Sequence, residues 1–223
     1  MKPLELFRLH PFFSSLTEAD ALKLLRQTRC RRFAAGEEVF HKDDPGDGFY
    51  GVLSGSVAFT VDSVDGKELT LNVLGPGEFF GEIALLDGKG RSATALARDA
   101  CELLFIPRSD FLGFFIQRPQ AMIGIIELLC ARLRLATDRA ADTAFLDLSR
   151  RLAKRLVWLL DGAPPPAALR ISHAELASML GVSRERVTRQ LSAWSGEGIL
   201  DQGRGRIVVR DRGALEHVVA RGA

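Results

Sequence analysis

Glycine-containing turns divide the first half of the chain into short apolar runs. Between Gly55 and Gly75, apolar residues alternate with polar or small ones over the stretches 56–62 and 68–73. A period of two is typical of strands that bury one face. Runs of this kind continue up to about residue 107 and amount to about eight strands, which predicts a small antiparallel barrel or jelly roll. The turns contain Gly36, Gly46, Gly55, Gly66, Gly75, Gly77 and Gly88.

The segment 80–94 interrupts these strands with a predicted short helix, a glycine turn and a returning strand. Gly81 would let the backbone approach another group closely. The N–H groups that follow, at Ile83 and Ala84, lie in the first helical turn and therefore have no partners within the helix. N–H groups in this position can bind an anion.

Three side chains of the same segment indicate which anion would bind. Arg91 supplies a guanidinium and Ser92 a hydroxyl, and together with free N–H groups they suit a phosphate. Glu82 would repel a phosphate unless its carboxylate had a partner of its own, such as a sugar hydroxyl. The segment therefore predicts a sugar-phosphate site. The alternative is a hairpin corner with an Arg–Glu surface pair.

A long helix is predicted from Pro119 to about residue 144. Apolar and small residues recur there with a strict 4-3 spacing, which is typical of a coiled-coil seam. The seam is long enough for an interface between two chains, and the alternative is a helix packed on its own barrel. Asp147 is expected to N-cap a second helix that runs to Leu160. The seam residues are Met122, Ile126, Leu129, Leu133, Ala136, Ala140 and Thr143.

The segment 172–191 has the spacing of a helix-turn-helix. Ser172 and Glu175 predict a capping box at the start of its first helix. Gly181 would make the turn, and Ser183 would cap the second helix. Ser172 and Ser183 are also placed to contact phosphates. In this motif the N-terminal end of the second helix enters the major groove of DNA.

Polar side chains at the start of that second helix are candidates for base contacts. Arg184, Glu185, Thr188 and Arg189 are expected on its exposed face. Arginine can bind guanine bidentately, and glutamate can accept from the amino group of cytosine. The alternative is a charged helix that only faces solvent.

A two-stranded wing is predicted after the helix-turn-helix, with Arg204 and Arg206 at its tip to meet backbone phosphates. The charge distribution agrees with a polyanion partner for this part of the chain. Residues 1–146 carry 17 Lys and Arg against 20 Asp and Glu, a net charge of −3. Residues 147–223 carry 13 against 8, a net charge of +5.

Both motifs resemble those of the CRP-FNR family of bacterial transcription regulators. Residues 81–92 resemble the phosphate-binding cassette of cyclic-nucleotide-binding domains, and residues 183–189 resemble the recognition helix of the CRP branch. The resemblance covers nearly all of the chain and implies an α+β fold. It implies a cyclic-nucleotide-binding β-barrel at 1–118, a dimerisation helix and hinge at 119–146, and a winged helix-turn-helix at 147–223.

The resemblance also implies a role for each cassette side chain. Glu82 would bind the ribose 2′-hydroxyl, while Arg91 and Ser92 would bind the cyclic phosphate. The backbone at the start of the short helix would complete the phosphate site. Cyclic AMP is the expected effector.

Two residues outside the cassette would meet the base of the nucleotide. By the resemblance, Leu71 lies against the base and Thr137 contacts it from the long helix. Ala136 stands where cyclic AMP receptors often carry a threonine, so guanine would be tolerated as well as adenine. Cyclic GMP is therefore the alternative effector, and a different effector or none is also left open.

The implied partners follow from the same resemblance. A homodimer would bind palindromic double-stranded DNA, with Arg184, Glu185 and Arg189 reading a TGTGA-like half-site. RNA polymerase is expected as a further partner, although the proline-rich segment 162–166 does not match a polymerase-contacting pattern.

Other functional classes lack the residues that they would need. Cys30, Cys101 and Cys130 are far apart, and the four histidines are scattered, so no metal site is expected. A redox or haem sensor of the family needs a cysteine cluster or an axial ligand, and a cupin-like enzyme needs several barrel histidines. We expect no enzymatic activity. No apolar run reaches the roughly 18–20 residues of a membrane span, and no signal peptide is evident, which favours the cytoplasm.

Overall fold

The chain folds into two compact units. The computed structural model describes residues 1–10, 13, 16–66, 68–161 and 167–220. The first unit contains Met1–Asp65 and Leu71–Arg134, and the second contains Gly66–Thr70 and Leu135–Ala223. The division into residues 1–118, 119–146 and 147–223 stays a prediction.

The first unit consists mainly of β-strands. The strands up to Pro107 are β1 (Arg29–Phe33), β2 (Glu38–Phe40), β3 (Gly48–Ser54), β4 (Val57–Asp62), β5 (Glu68–Leu74), β6 (Phe79–Phe80), β7 (Thr94–Ala97) and β8 (Cys101–Pro107), of which only the first three residues of β5 belong to the second unit. They form two four-stranded sheets, with the orders β1-β8-β3-β6 and β2-β7-β4-β5. Strand β8 pairs antiparallel with β1 and β3, and β7 pairs antiparallel with β2 and β4. The predicted antiparallel jelly-roll architecture is confirmed.

Helices flank these sheets. They are α1 (Pro3–Leu9), α2 (Glu18–Leu25), α3 (Glu82–Asp87), α4 (Arg108–Ile116) and the part of α5 (Pro119–Phe145) up to Arg134, since the rest of α5 belongs to the second unit. Thr17 N-caps α2, because its side chain accepts a hydrogen bond from the N–H of Asp20.

Strand β3 is buried on both faces because it separates two hydrophobic clusters. Phe49 packs with apolar side chains of the flanking helices, while Tyr50 packs with the side chains between the sheets. Strand β6 repeats this alternation, with Phe79 in the first cluster and Phe80 in the second. The chain therefore reaches Gly81 directly from the interior between the sheets.

Helix α5 packs one face on its own unit. Ala121 and Ile125 are buried there, and Met122 and Leu129 pack against the same cluster. Residues four apart lie on one helix face, so Leu129 follows Ile125 towards the barrel. The predicted seam is therefore corrected at Met122 and Leu129, which face the barrel core.

A different row of α5 is exposed. Ile123, Ile126 and Leu133 are 48%, 58% and 68% exposed, and Cys130 lies between the last two. Their spacing of 3, 4 and 3 residues is that of a coiled-coil seam. Two members of the predicted seam, Ile126 and Leu133, thus keep their place.

The second unit is a helical domain with a small sheet. Its further elements are α6 (Leu148–Leu159), β9 (Ala167–Leu169), α7 (His173–Leu180), α8 (Arg184–Gly196), β10 (Leu200–Gly203), β11 (Arg206–Val209) and α9 (Arg212–Ala220). The sheet has the order β10-β11-β9, so a third strand joins the predicted two-stranded wing. Its core includes Leu156, Leu176, Val187, Leu191 and Trp194.

Of the predicted caps of this unit, those of α6 and α7 are present, whereas Ser183 accepts no capping hydrogen bond at the start of α8. The Asp147 side chain accepts from the N–H of Arg150 at the start of α6. Ser172 and Glu175 form the capping box of α7, and Gly181 ends α7 with a φ of 63°. Because φ is positive there, the left-handed turn into α8 favours glycine.

Two further expectations concern the proline-rich segment 162–166 and membrane-spanning helices. The proline-rich segment 162–166 lies outside the described residues. Among the described helices, no single one is long and apolar enough to cross a membrane, although the bent pair Arg108–Ile116 and Gln120–Phe145 meets the length and composition criteria together.

Candidate functional site

Gly81 lies at the point where β6 passes into α3. Its φ of 91° is in the left-handed region, and a Cβ at this position would lie 2.6 Å from Nη1 of Arg91. Glycine is therefore required both by the backbone conformation and by the close approach of a guanidinium. The group that the backbone of Gly81 approaches closely, as the sequence predicted, is the guanidinium of Arg91.

An open cavity lies beside this turn. It brings together six of the predicted site residues, namely Gly81, Glu82, Ile83, Ala84, Arg91 and Ser92. Phe40, Phe59, Phe80, Ala93 and Arg132 complete its lining. Leu71 and Thr137 do not line the cavity, so their contacts with a base stay predictions.

Arg91 is a buried guanidinium, only 2% exposed. Its Nη2 donates to Oδ1 of Asp47 at 2.6 Å and to the carbonyl of Gly48 at 3.0 Å, while Nη1 donates to the carbonyl of Gly81 at 2.9 Å. The guanidinium also lies over the ring of Phe40, 4.2 Å from its centroid. These contacts fix the side chain but leave Nε without a partner among the described residues.

Glu82 is the second buried charge, 1% exposed. Arg132 on α5 donates from Nη1 to Oε1 of Glu82 at 2.5 Å and from Nη2 to the carbonyl of Phe79 at 2.5 Å. The other carboxylate oxygen, Oε2, is buried and has no partner in the part of the chain that the structure describes.

Two residues that line the cavity thus each have a buried polar atom without a partner among the described residues, a donor on Arg91 and an acceptor on Glu82. Buried polar atoms in proteins nearly always have a hydrogen-bond partner, so both atoms need an explanation. A ligand with an anionic oxygen could accept from Nε of Arg91, and a hydroxyl on the same ligand could donate to Oε2 of Glu82. Arg31, Arg91 and Arg132 outnumber the carboxylates of Asp47 and Glu82 by one positive charge, so the site can take a singly charged anion without net repulsion.

Asp47 is held by neighbours of its own. Arg31 Nη1 lies 3.5 Å from Asp47 Oδ2 and donates to the hydroxyl of Tyr50 at 2.9 Å. Burial, followed by the nearby Asp47 carboxylate, raises the pKa of Tyr50 to about 12, so the hydroxyl stays protonated. The network keeps Asp47 in place to orient Arg91.

His10 lies near Arg132 but adds no positive charge. Burial, and then the charge of Arg132, lowers the pKa of His10 to about 4. Its ring makes an edge contact with Phe79, with 5.0 Å between the ring centroids. The imidazole is therefore neutral near pH 7.

Sequence reasoning missed four residues of the site. Asp47 lies in a Gly-Asp-Gly turn, and the signal available in the sequence was an acidic residue between two glycines. Arg132 lies among many charged residues of α5, and only its position on the barrel-facing side distinguishes it. The aromatic residues Phe40 and Phe59 read as ordinary core of β2 and β4.

The second candidate surface is the start of α8 in the second unit. Arg184, Glu185 and Arg189 are exposed there, as predicted for a surface that contacts a partner. Ser183 has the backbone conformation of an N-cap but accepts no capping hydrogen bond. A hydrogen bond from the Glu185 N–H, followed by one from the Ser183 side chain, lowers the pKa of Glu185. The carboxylate is therefore ionised at neutral pH.

The remaining predicted DNA contacts lie in the same unit. Ser172 is engaged as the cap of α7, and Thr188 lies within hydrogen-bond distance of His173. Arg204 and Arg206 are exposed at the turn between β10 and β11. Among the described residues, no group of three or more potential metal ligands is present.

Comparison with known proteins matches a family to each of the two candidate sites. Residues 30–118 match the family described as cyclic nucleotide-binding domain, and residues 150–218 match the Crp-like helix-turn-helix domain. The chain is 36% identical over 208 residues to the cyclic AMP receptor protein of Thermus thermophilus, which covers 93% of this chain and 96% of the relative. The chain belongs to the CRP-FNR family of transcription regulators.

Two solved structures resemble this CRP-FNR protein over most of its length. The c-di-GMP responsive global regulator CLP of Xanthomonas campestris is 30% identical, with a TM-score of 0.77, and the match covers 87% of this chain and 99% of CLP. The catabolite activator protein of Thermus thermophilus is 36% identical, with a TM-score of 0.56, and the match covers 96% of this chain and 100% of that protein. The CRP-FNR protein is therefore a CRP-like, cyclic-nucleotide-binding transcription regulator with a helix-turn-helix DNA-binding domain.

Proposed function

We propose that this regulator is a cytoplasmic homodimer that binds cyclic AMP in the barrel cavity and then binds a palindromic, TGTGA-like operator through α8. The observation that carries the effector assignment is a pair of buried atoms without partners among the described residues, Nε of Arg91 and Oε2 of Glu82, on two side chains that line one cavity. No catalytic activity is part of this proposal.

A cyclic nucleotide supplies the two missing partners. Its phosphate oxygen would accept from Nε of Arg91, with the hydroxyl of Ser92 and the N–H groups at Ile83 and Ala84 as further donors. Its ribose 2′-hydroxyl would donate to Oε2 of Glu82. Linear nucleotides carry more negative charge and would meet more repulsion from the two carboxylates of the site.

The residues that line the cavity constrain the base of the nucleotide less than they constrain its ribose and phosphate. Phe59 lines the cavity and offers an apolar surface to either purine, while Leu71 and Thr137 are proposed as further contacts. Cyclic AMP is favoured because the Thermus thermophilus relative is a cyclic AMP receptor protein. Cyclic GMP is the alternative, and CLP is a relative that responds to cyclic di-GMP.

The proposed mechanism is a shift between two conformations of the dimer. Nucleotide binding would favour the conformation in which both recognition helices can enter successive major grooves. Arg184, Glu185 and Arg189 would then contact bases, and Ser172, Ser183, Arg204 and Arg206 would contact phosphates. RNA polymerase is proposed as the partner of the DNA-bound dimer.

Calorimetry with cyclic AMP, cyclic GMP and cyclic di-GMP tests the effector assignment. We expect saturable binding of cyclic AMP to the wild-type protein, tighter than that of cyclic GMP. In Glu82→Gln, loss of the charged acceptor should weaken binding by about tenfold or more. Glu38→Gln, a change at an exposed carboxylate outside the cavity, is the matched control and should bind normally. If neither cyclic AMP nor cyclic GMP binds, the proposal is wrong.

A further inference from the structure

One hydrogen bond of the second unit lies at the surface expected to face DNA. His173 is the first residue of α7, and Thr188 lies in the second turn of α8. Nδ1 of His173 and Oγ1 of Thr188 are 2.9 Å apart. Both residues are half-buried, so the contact joins the two helices of the helix-turn-helix beside the candidate base-reading side chains.

The direction of this hydrogen bond depends on the proton of the imidazole. A threonine hydroxyl has one proton to donate and lone pairs that accept. When Nδ1 of His173 carries no proton, Thr188 donates to it and keeps only acceptor capacity for another partner. When both ring nitrogens are protonated, Nδ1 donates to Oγ1, and the hydroxyl proton becomes available to another partner.

We infer that His173 is a positioning residue for Thr188 and that its protonation decides whether Thr188 offers an acceptor or a donor to the major groove. The neutral ring is assigned its proton on Nε2. This inference rests on the proposed function, because it requires that α8 reads DNA. An acceptor suits the amino groups of cytosine and adenine, whereas a donor suits N7 and O6 of guanine or O4 of thymine.

The charges around His173 indicate which form is present at neutral pH. Burial, and then the positive charge of Arg184 on α8, lowers the pKa of His173. On α7 itself, Glu175 is turned towards the cap, where its carboxylate accepts from the N–H of Ser172 at 2.7 Å. On α6, Arg151 donates to the carbonyl of Leu180 at the opposite end of α7. The neutral ring is therefore expected at neutral pH, and the protonated ring in more acidic solution.

Base preference measured at two pH values tests this inference. The full-length protein, with cyclic nucleotide at saturation, is titrated with operators that carry each of the four bases at each half-site position. At one position we expect the preference for cytosine or adenine over guanine or thymine to fall by about three- to tenfold between about pH 8 and a lower pH at which the His173 ring is protonated in the DNA complex, the effect of one hydrogen bond.

Three variants identify the groups responsible. His173→Asn keeps a hydrogen-bonding group near Nδ1 but does not titrate, and Thr188→Val keeps the shape but removes the hydroxyl. Both should lose the pH-dependent preference, while His217→Asn, at an exposed histidine of α9, should retain it.

The possible outcomes separate this inference from the proposed function. Specific DNA binding without any pH-dependent position would contradict the inference and leave the regulator assignment intact. Persistence of the pH-dependent position in His173→Asn or Thr188→Val would also contradict it. Absence of specific DNA binding at both pH values would overturn the proposed function and this inference together.

Discussion

Arg91 shows how a buried charge can be held for a ligand. Its two Nη atoms donate to Asp47 and to two backbone carbonyls, and Nε, which has no partner among the described residues, is the atom proposed to bind the anion. A guanidinium can do this because its five N–H donors are arranged in a rigid plane. The same contacts stabilise the fold, since a buried charge without partners would be strongly unfavourable.

Replacing Arg91 with lysine tests this double role. A single ammonium group has no donor at the Nε position and cannot reach Asp47 and both carbonyls together. We expect nucleotide affinity to fall at least about tenfold and the free energy of unfolding to fall by about 1–3 kcal/mol. Calorimetry and urea unfolding measure the two effects.

Arg32→Lys is the matched control for that variant. Arg32 is exposed, forms an ion pair with Glu102 and does not line the cavity. Its nucleotide affinity should stay within about twofold of wild type. Unchanged affinity in Arg91→Lys would mean that the anion binds elsewhere.

Residues that are close in sequence were the ones that the sequence could identify. Gly81, Glu82, Arg91 and Ser92 lie within one short segment, where residue types and spacing alone predict a sugar-phosphate site. Asp47 and Arg132 come from a distant turn and a distant helix. Their contacts depend on how the sheets and α5 pack, which no local pattern encodes.

At the scale of elements, glycine turns and short apolar runs predicted about eight strands, and the eight strands end at Pro107, where helices begin. The period of two was a weaker guide, because β3 is buried on both faces and the burial of β5 does not alternate. β9 was missed because three residues, Ala167–Leu169, are too few to show a period. The predicted seam of α5 was partly wrong because apolar residues occur on two faces of that helix. Only the packing shows which face contacts the barrel.

The exposed row of α5 makes a prediction about assembly. Replacing both Ile126 and Leu133 with aspartate would place charges in the proposed interface, where burial is costly. We expect the double variant to be a monomer under conditions in which the wild-type protein is a dimer. Analytical ultracentrifugation measures this.

An exposed apolar residue on another helix provides the control for assembly. Ile116 on α4 is 72% exposed and lies outside the row. Ile116→Asp should therefore leave the dimer intact. A double variant that remained dimeric would show that the chains associate through a different surface.

At the scale of the whole molecule, the account joins a nucleotide site in one unit to a DNA-reading surface in the other. The sequence indicates the nucleotide site and the DNA-reading surface through separate motifs. The positive net charge of the C-terminal part agrees with an anionic partner for that part. The sequence does not encode the energetic coupling between the two sites. In the proposed mechanism, that coupling is a difference in free energy between two conformations of the dimer.

The most direct test of the account is a linkage measurement on the full-length protein. Operator affinity is measured with and without saturating cyclic AMP, and cyclic AMP affinity with and without operator. The account predicts that each ligand strengthens binding of the other by the same factor, in the range of about 5- to 150-fold, and that Arg91→Lys abolishes the effect of cyclic AMP. Equal operator affinity of the wild-type protein with and without bound cyclic AMP would contradict it.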